Sequence, residues 1–75
     1  MDESVVVLRE EPAELCKILK FENLVMSGGE AKQVIAAGLV RVNHEVETRK
    51  RRKIYSGDLI EFQGQQLKIT ASPNE

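Results

Sequence analysis

Five consecutive cations, Arg49-Lys50-Arg51-Arg52-Lys53, form the densest cluster of reactive chemistry in this 75-residue chain. Side by side they repel one another, and a nucleic-acid backbone would relieve that repulsion while releasing its counterions. Arg brings planar, bidentate donors to a phosphate, and Lys a mobile point charge. A second candidate is Ser27-Gly28-Gly29-Glu30, an S-x-x-E capping box ahead of Ala31, Val34 and Ile35. A helix opening offers unpaired amides and a positive dipole end to an anion, and two glycines leave the backbone open to close approach. Lys32 lies one turn beyond Gly28 and shares its face. Arg41 alternates with Val40 and Val42 and points outward from a strand. Asn43 holds the following turn, with its tip within reach of a sugar or phosphate. Each of these has a plain structural alternative: a solvated loop for the cations, a cap for Ser27, turn chemistry for the glycines and Asn43.

The elements that must position these residues are legible from patterning. Val5–Leu8 reads as a short buried strand. Glu10-Glu11-Pro12 looks like a helix start, with proline suited to the first turn and the acids near the positive dipole end. Leu15, Ile18 and Leu19 follow i, i+3, i+4 spacing, with Cys16 beside them as a small core residue, and this helix should end near 20–22. The second helix spans about 28–37, with Gly38 as its left-handed terminator. Val40, Val42 and Val46 around Asn43-His44 predict a tight hairpin, with His44 a solvated turn residue. The 49–53 run is expected to be a loop or the approach to a strand. Ser56-Gly57-Asp58 marks a turn, and Ile60–Phe62 and Leu67–Ile69 are strands joined through Gln63-Gly64-Gln65. Residues 72–75 should fray. The expectation is one α+β domain over 1–75, with two consecutive helices packed on a small, mostly antiparallel sheet.

The formal net charge of −1 conceals a polarity. Residues 1–31 carry three basic and seven acidic side chains, residues 32–53 seven basic and two acidic, and residues 54–75 one basic and three acidic. A near-neutral domain can therefore turn one cationic face toward a polyanion. With one Cys and one His, no internal disulfide or metal site is expected, and reducing, cytoplasmic surroundings fit best. The longest apolar run, Val34–Val40, is far short of the roughly 20 residues a membrane span needs, so no membrane partner is expected. The two Phe and one Tyr all have plausible core positions, which disfavours an aromatic platform for single-stranded RNA.

The stretch Ser27 to Phe62 resembles the S4 RNA-binding domain. The matching residues are Ser27, Ala31, Lys32, Ile35, Gly38, Val40, Val42, Asn43, Gly57-Asp58 and Ile60, with Leu15 and Leu19 on the preceding helix. With the first helix included, the match runs over 12–62. Ser27-Gly28-Gly29-Glu30-Ala31-Lys32 and Glu47-Thr48-Arg49-Lys50-Arg51 look closer still to the small stand-alone bacterial proteins of this kind, which are essentially the S4 domain alone. The resemblance implies the αL RNA-binding fold. Many S4 domains carry Arg where this chain has Gly28, and often Arg where it has Glu14, so the expected footprint shifts toward 49–53.

The residues contain no Walker-type loop or dinucleotide fingerprint, and no paired acid–base groups suited to catalysis, so no enzymatic activity and no cofactor or small-molecule substrate is expected. The function expected is recognition of structured RNA, ribosomal or transfer RNA in class and plausibly ribosome-associated, by a monomer. Its contacts would come from Ser27, Gly28, Gly29, Lys32, Arg41, Asn43, Arg49, Lys50, Arg51, Arg52 and Lys53. One alternative is a protein-interaction adaptor that uses the acidic first helix. Another is a ubiquitin-like carrier, which would end in Gly-Gly where this sequence reads Pro73-Asn74-Glu75.

Overall fold

The computed structural model describes residues 2–71. The chain runs β1 (Asp2–Leu8), β2 (Ala13–Glu14), α1 (Leu15–Phe21), α2 (Gly28–Ala36), β3 (Val40–Val42), β4 (Glu45–Val46), β5 (Lys53–Ile54), β6 (Leu59–Phe62) and β7 (Gln65–Ala71). Five strands form one sheet in the order β1-β7-β6-β3-β4, antiparallel throughout except for the parallel pair β1–β7. β2 and β5 form a separate two-residue antiparallel ladder. The expected α+β architecture, two helices on a mostly antiparallel sheet, is what the chain adopts.

Alternation along the strands explains the layering. Val6 and Leu8 of β1, Val40 and Val42 of β3, Ile60 and Phe62 of β6, and Leu67 and Ile69 of β7 all turn to one face and are buried. Against that face α1 packs Leu15, Cys16, Ile18 and Leu19, and α2 packs Ala31 and Ile35. Burial at the 3.6-residue period on the helices and at period two on the strands produces a single core. Cys16 sits in that core, 5% exposed, as its helical position predicts.

Both helices end in the same motif. After α2, the left-handed Gly38 donates its N–H to the Ile35 carbonyl, and Leu39 donates to Val34. After α1, Asn23 takes the left-handed conformation, donating to Lys20 while Leu24 donates to Leu19. These are Schellman closures, one on Gly and one on Asn. Asn43 and His44 both have positive φ, so the β3–β4 hairpin turns through two left-handed residues, a type I′ geometry that matches strand twist.

The start of α1 differs from the expectation. Glu10-Glu11-Pro12 is not its first turn: Glu14 is still extended, and the helix begins at Leu15. Pairing of Ala13–Glu14 with Lys53–Ile54 holds the chain extended at the point where local propensity favours a helix. Leu15 N–H, which would otherwise be unpaired at a helix start, donates to the Arg52 carbonyl at 2.9 Å. The frayed segment expected at 72–75 lies outside the described residues.

The aromatic assignment is corrected as well. Phe62 is buried, but Phe21 is 79% exposed and Tyr55 is 50% exposed. Phe21 sits at the last position of α1, where the chain turns away, so its ring falls beyond the core face.

Candidate nucleic-acid interface

The segment that carries the cations is organised by a residue that reasoning from composition missed. Glu47 follows Val46 at the end of the hairpin. The register pairs Val42 with Glu45 and Arg41 with Val46, so Glu47 stands opposite Val40 and turns to the core face. Its N–H donates to the Val40 carbonyl at 2.9 Å, and the residue is 7% exposed. A carboxylate buried there needs partners. Its Oε2 accepts from the Arg49 backbone N–H and from Arg49 Nε, both at 2.9 Å. Its Oε1 accepts from Arg49 Nη2 at 3.0 Å and from Arg52 Nη1 at 2.6 Å. The hydrogen bond from the Arg49 side chain is the main reason that the Glu47 carboxyl lies at about 2 rather than its ordinary 4.5. Burial opposes that shift, and the Arg49 backbone N–H and the Arg52 guanidinium add to it. The cation run is therefore not a set of charges gathered without internal reason. Two of its five members clamp one buried anion.

That clamp fixes where the others stand. Arg49 accepts a turn hydrogen bond from Arg52 N–H at 3.3 Å, and the Arg52 carbonyl accepts from Leu15 at the start of α1. Lys53 is paired in register with Glu14. Lys50, Arg51 and Lys53 are exposed and make no ion pair among the described residues. The result is a loop pinned at both ends that carries Lys50 and Arg51 beside the first turn of α1, with Lys53 next to it at the start of β5.

The opening of α2 is a second, separate feature. Ser27 Oγ accepts from Glu30 N–H at 3.1 Å, as the capping box predicts. Glu30 Oε1 reaches back one residue farther than the standard box and accepts from Met26 N–H at 2.8 Å. The amides of Gly28 and Gly29 have no acceptor among the described residues. Neither glycine has a positive φ. A Cβ on Gly28 would meet nothing within 4 Å, and one on Gly29 only Ser27 Oγ at 3.9 Å. Neither packing nor backbone conformation therefore calls for glycine at these positions. Lys32 is half-buried one turn on, between the core residues Ala31 and Ile35 of the same helix.

The expected site residues thus fall into groups. Arg49 and Arg52 join on Glu47, Lys50 and Arg51 share their loop, and Lys53 adjoins it on β5. Ser27, Gly28, Gly29 and Lys32 share the first turns of α2. No hydrogen bond or ion pair links these two groups among the described residues. At its far end α2 gives way to Gly38, where an added Cβ would lie 3.5 Å from Val46. A nine-residue helix is about 13 Å long, so the glycine end of α2 is set off from the hairpin by that length. Arg41 is exposed between two buried valines and paired with Glu61 of β6, on the sheet face opposite to Glu47. Its grouping with 49–53 is not what the fold produces, because β-strand alternation sends residues 41 and 47 to opposite sides.

Asn43 performs a structural task. Its Oδ1 accepts from Leu59 N–H, and its Nδ2 donates to Asp58 Oδ1, both at 3.0 Å. Asp58 in turn accepts from Tyr55 N–H at 2.9 Å. The hairpin turn and the 56–58 turn are thereby stitched together. His44 is exposed, with Nδ1 3.4 Å from Glu61 Oε1. Glu47 could have been found from sequence: a two-residue turn at 43–44 already places residue 47 opposite Val40.

Comparison with known proteins agrees with this geometry. A family model described as the S4 domain matches residues 6–70. YbcJ of Escherichia coli (strain K12), provisionally named an RNA-binding protein, is 47% identical over 58 residues, covering 77% of this chain and 83% of that protein. RlbA of Bacillus subtilis (strain 168), provisionally named a ribosome maturation protein, is 40% identical over 50 residues, or 67% of this chain and 70% of its own. The solution structure of E. coli YbcJ, reported as revealing an αL motif involved in RNA binding, matches with a TM-score of 0.66 at 39% identity over 95% of this chain and 89% of that one. The arrangement of two helices on a mostly antiparallel sheet is thus that of a known fold, and the chain belongs to the S4 domain family.

Proposed function

We propose that this protein is a non-catalytic RNA-binding module that grips structured RNA of the ribosomal or transfer class through phosphate and shape contacts. The observation that carries this reading is the pinned loop. Lys50, Arg51 and Lys53 are held beside α1 with no ion pair among the described residues, while Arg49 and Arg52 are engaged by Glu47. Cations preorganised in this way bind a phosphate backbone without first losing the entropy of a mobile loop. The opening of α2 supports the same reading. Glycine at two successive helical positions lowers helix stability, and here it leaves two amides accessible to an anion. The naming of YbcJ and RlbA favours RNA, and the latter a ribosome-associated setting.

The test is a salt titration of binding to a labelled, structured RNA, using the intact protein and a K50Q/R51Q/K53Q variant. The intact protein should give a log–log slope of roughly −3 to −4, and the variant should reduce its magnitude by roughly 2 to 3. Equal slopes for the two proteins, or no binding at low salt, would overturn this footprint.

A further inference from the structure

The two edges of the main sheet are unlike. One edge is β4, two residues long and therefore a poor template for further pairing. The other is β1, seven residues long, hydrogen-bonded to β7 on one side only and free of Lys and Pro over its length. Its free side is open. A groove of about 700 Å³ runs between β1 and α1, and Val6, Val7, Leu8 and Arg9 all line it. Successive strand side chains point to opposite faces, so a groove that meets the three consecutive strand residues Val6, Val7 and Leu8 meets the backbone edge itself. On the face away from the helices, Val5 is 63% exposed and Val7 51% exposed. Their partners in register on β7 are Lys68 and Thr70. The apolar strip is thus confined to the edge strand.

The exposed face of β1 carries Glu3, Val5 and Val7, and Arg9 follows in phase one residue past the strand's end, so pairing that continues β1 by one residue brings it into the series. This pattern is complementary to itself when reversed. In an antiparallel pairing of two copies about Val6, Glu3 stands opposite Arg9 of the second copy, Val5 opposite Val7, Val7 opposite Val5, and Arg9 opposite Glu3. All eight side chains lie on one face of the joined sheet. A shift of one residue sends exposed side chains against core-facing ones. A shift of two sets Glu3 against Val7 or Arg9 against Val5, and loses both ion pairs.

We propose that β1 is a self-association edge, at which two copies of this chain pair antiparallel about Val6 into one continuous sheet closed by two symmetric Glu3–Arg9 pairs. The contact is isologous, as closed two-fold dimers require. A single strand edge buries an area at the low end of stable interfaces, so the association is weak and the chain is monomeric when dilute. The monomer expected from sequence is the dilute limit of this equilibrium. The groove beside this edge also touches Lys53, but the dimer test reads mass rather than RNA binding, so failure of one proposal is distinguishable from failure of the other.

Sedimentation equilibrium of the full chain from about 10 μM to about 1 mM should show the average mass rising toward that of two chains. Glu3→Arg places like charges opposite each other twice and should weaken the dimer about tenfold or more. The double variant E3R/R9E exchanges the signs and should return the dimer constant to within about threefold of the original. Both changes are at exposed positions, and circular dichroism checks that each variant is folded. A mass that stays that of one chain at the highest concentration overturns the proposal, as does association that needs RNA or an added peptide. An E3R variant that associates normally, or a double variant that fails to recover, overturns the register.

Discussion

The loop at 49–53 and the opening of α2 are both proposed to receive phosphate, and they would do so in opposite ways. The loop has an excess of formal charge, but part of it is internally engaged: Glu47 takes Arg49 and Arg52 and uses them to hold the segment in place. The opening of α2 has no formal positive charge in its first two residues, only two glycine amides with no acceptor among the described residues. In the loop, Arg49 and Arg52 serve stability and leave Lys50, Arg51 and Lys53 for the proposed ligand, so a charge count overstates what a ligand can reach. At α2 stability and ligand access are opposed, since glycine weakens the helix and opens it. The lesson is that the usable charge of a cationic run depends on the nearest buried acid, and this is a tertiary property.

That contrast can be broken or sharpened by mutation, starting with the clamp. Glu47→Ala removes the acceptor of four hydrogen bonds and should lower the unfolding free energy by about 2–3 kcal/mol, read as a lower urea midpoint at constant m. If the fold survives at low temperature, the variant should also show a steeper salt dependence of RNA binding by roughly 1 to 2, as Arg49 and Arg52 are released. An unchanged midpoint would mean that the clamp is decorative and that all five cations are free.

Acid should act through the same carboxyl. Its value in the folded chain is about 2, below the ordinary 4.5 that it regains on unfolding. The unfolded state therefore binds the proton first, and the stability conferred by Glu47 is complete above about pH 4.5 and lost as the pH falls toward 2. The shift corresponds to on the order of 2 kcal/mol once the solvent exposure of Arg49 is allowed for. Urea titrations at pH 7 and pH 3 should bring wild type and E47Q closer together at the lower pH. A constant gap would contradict the ion-pair account.

Changing Arg49 and Arg52 together to Gln should lower stability by about 1–2 kcal/mol and change the RNA salt slope by less than about 1. The K50Q/R51Q/K53Q variant should show the reverse, near-native stability and a large loss of slope. Matching profiles for the two variants would erase the division of labour within the run.

The smallest effect is expected at α2. Gly28→Ala with Gly29→Ala should raise stability by up to about 1 kcal/mol, because helix propensity improves and the added methyl at Gly28 meets open space. RNA affinity should fall severalfold, because backbone approach is hindered. A rise in stability with unchanged affinity would remove the glycine amides from the footprint.

Much of the fold is legible along the chain. The capping box at Ser27, the Gly38 terminator, the hairpin at Asn43-His44 and the strands at 60–62 and 67–69 all depend on residues close in sequence, and each forms as its local chemistry dictates. Three features are not legible in this way. The extended entry to α1 requires Ala13–Glu14 to meet Lys53–Ile54, some forty residues away. The exposure of Phe21 depends on where the last turn of α1 passes the edge of the core. The separation of Arg41 from Glu47 combines strand alternation with a hairpin whose two faces have different neighbours.

Local sequence is enough for the α+β class, the ends of α2, the core stripe of α1 and the S4 resemblance, because period, caps and turn residues act over a few bonds. Contacts between segments set the rest: Arg49 and Arg52 close on the carboxylate of Glu47, Lys50, Arg51 and Lys53 are left without an ion pair among the described residues, and β1 lies at an edge of the sheet. Those outcomes depend on which segments meet across the fold, and burial and hydrogen-bond partnership are settled only when they do.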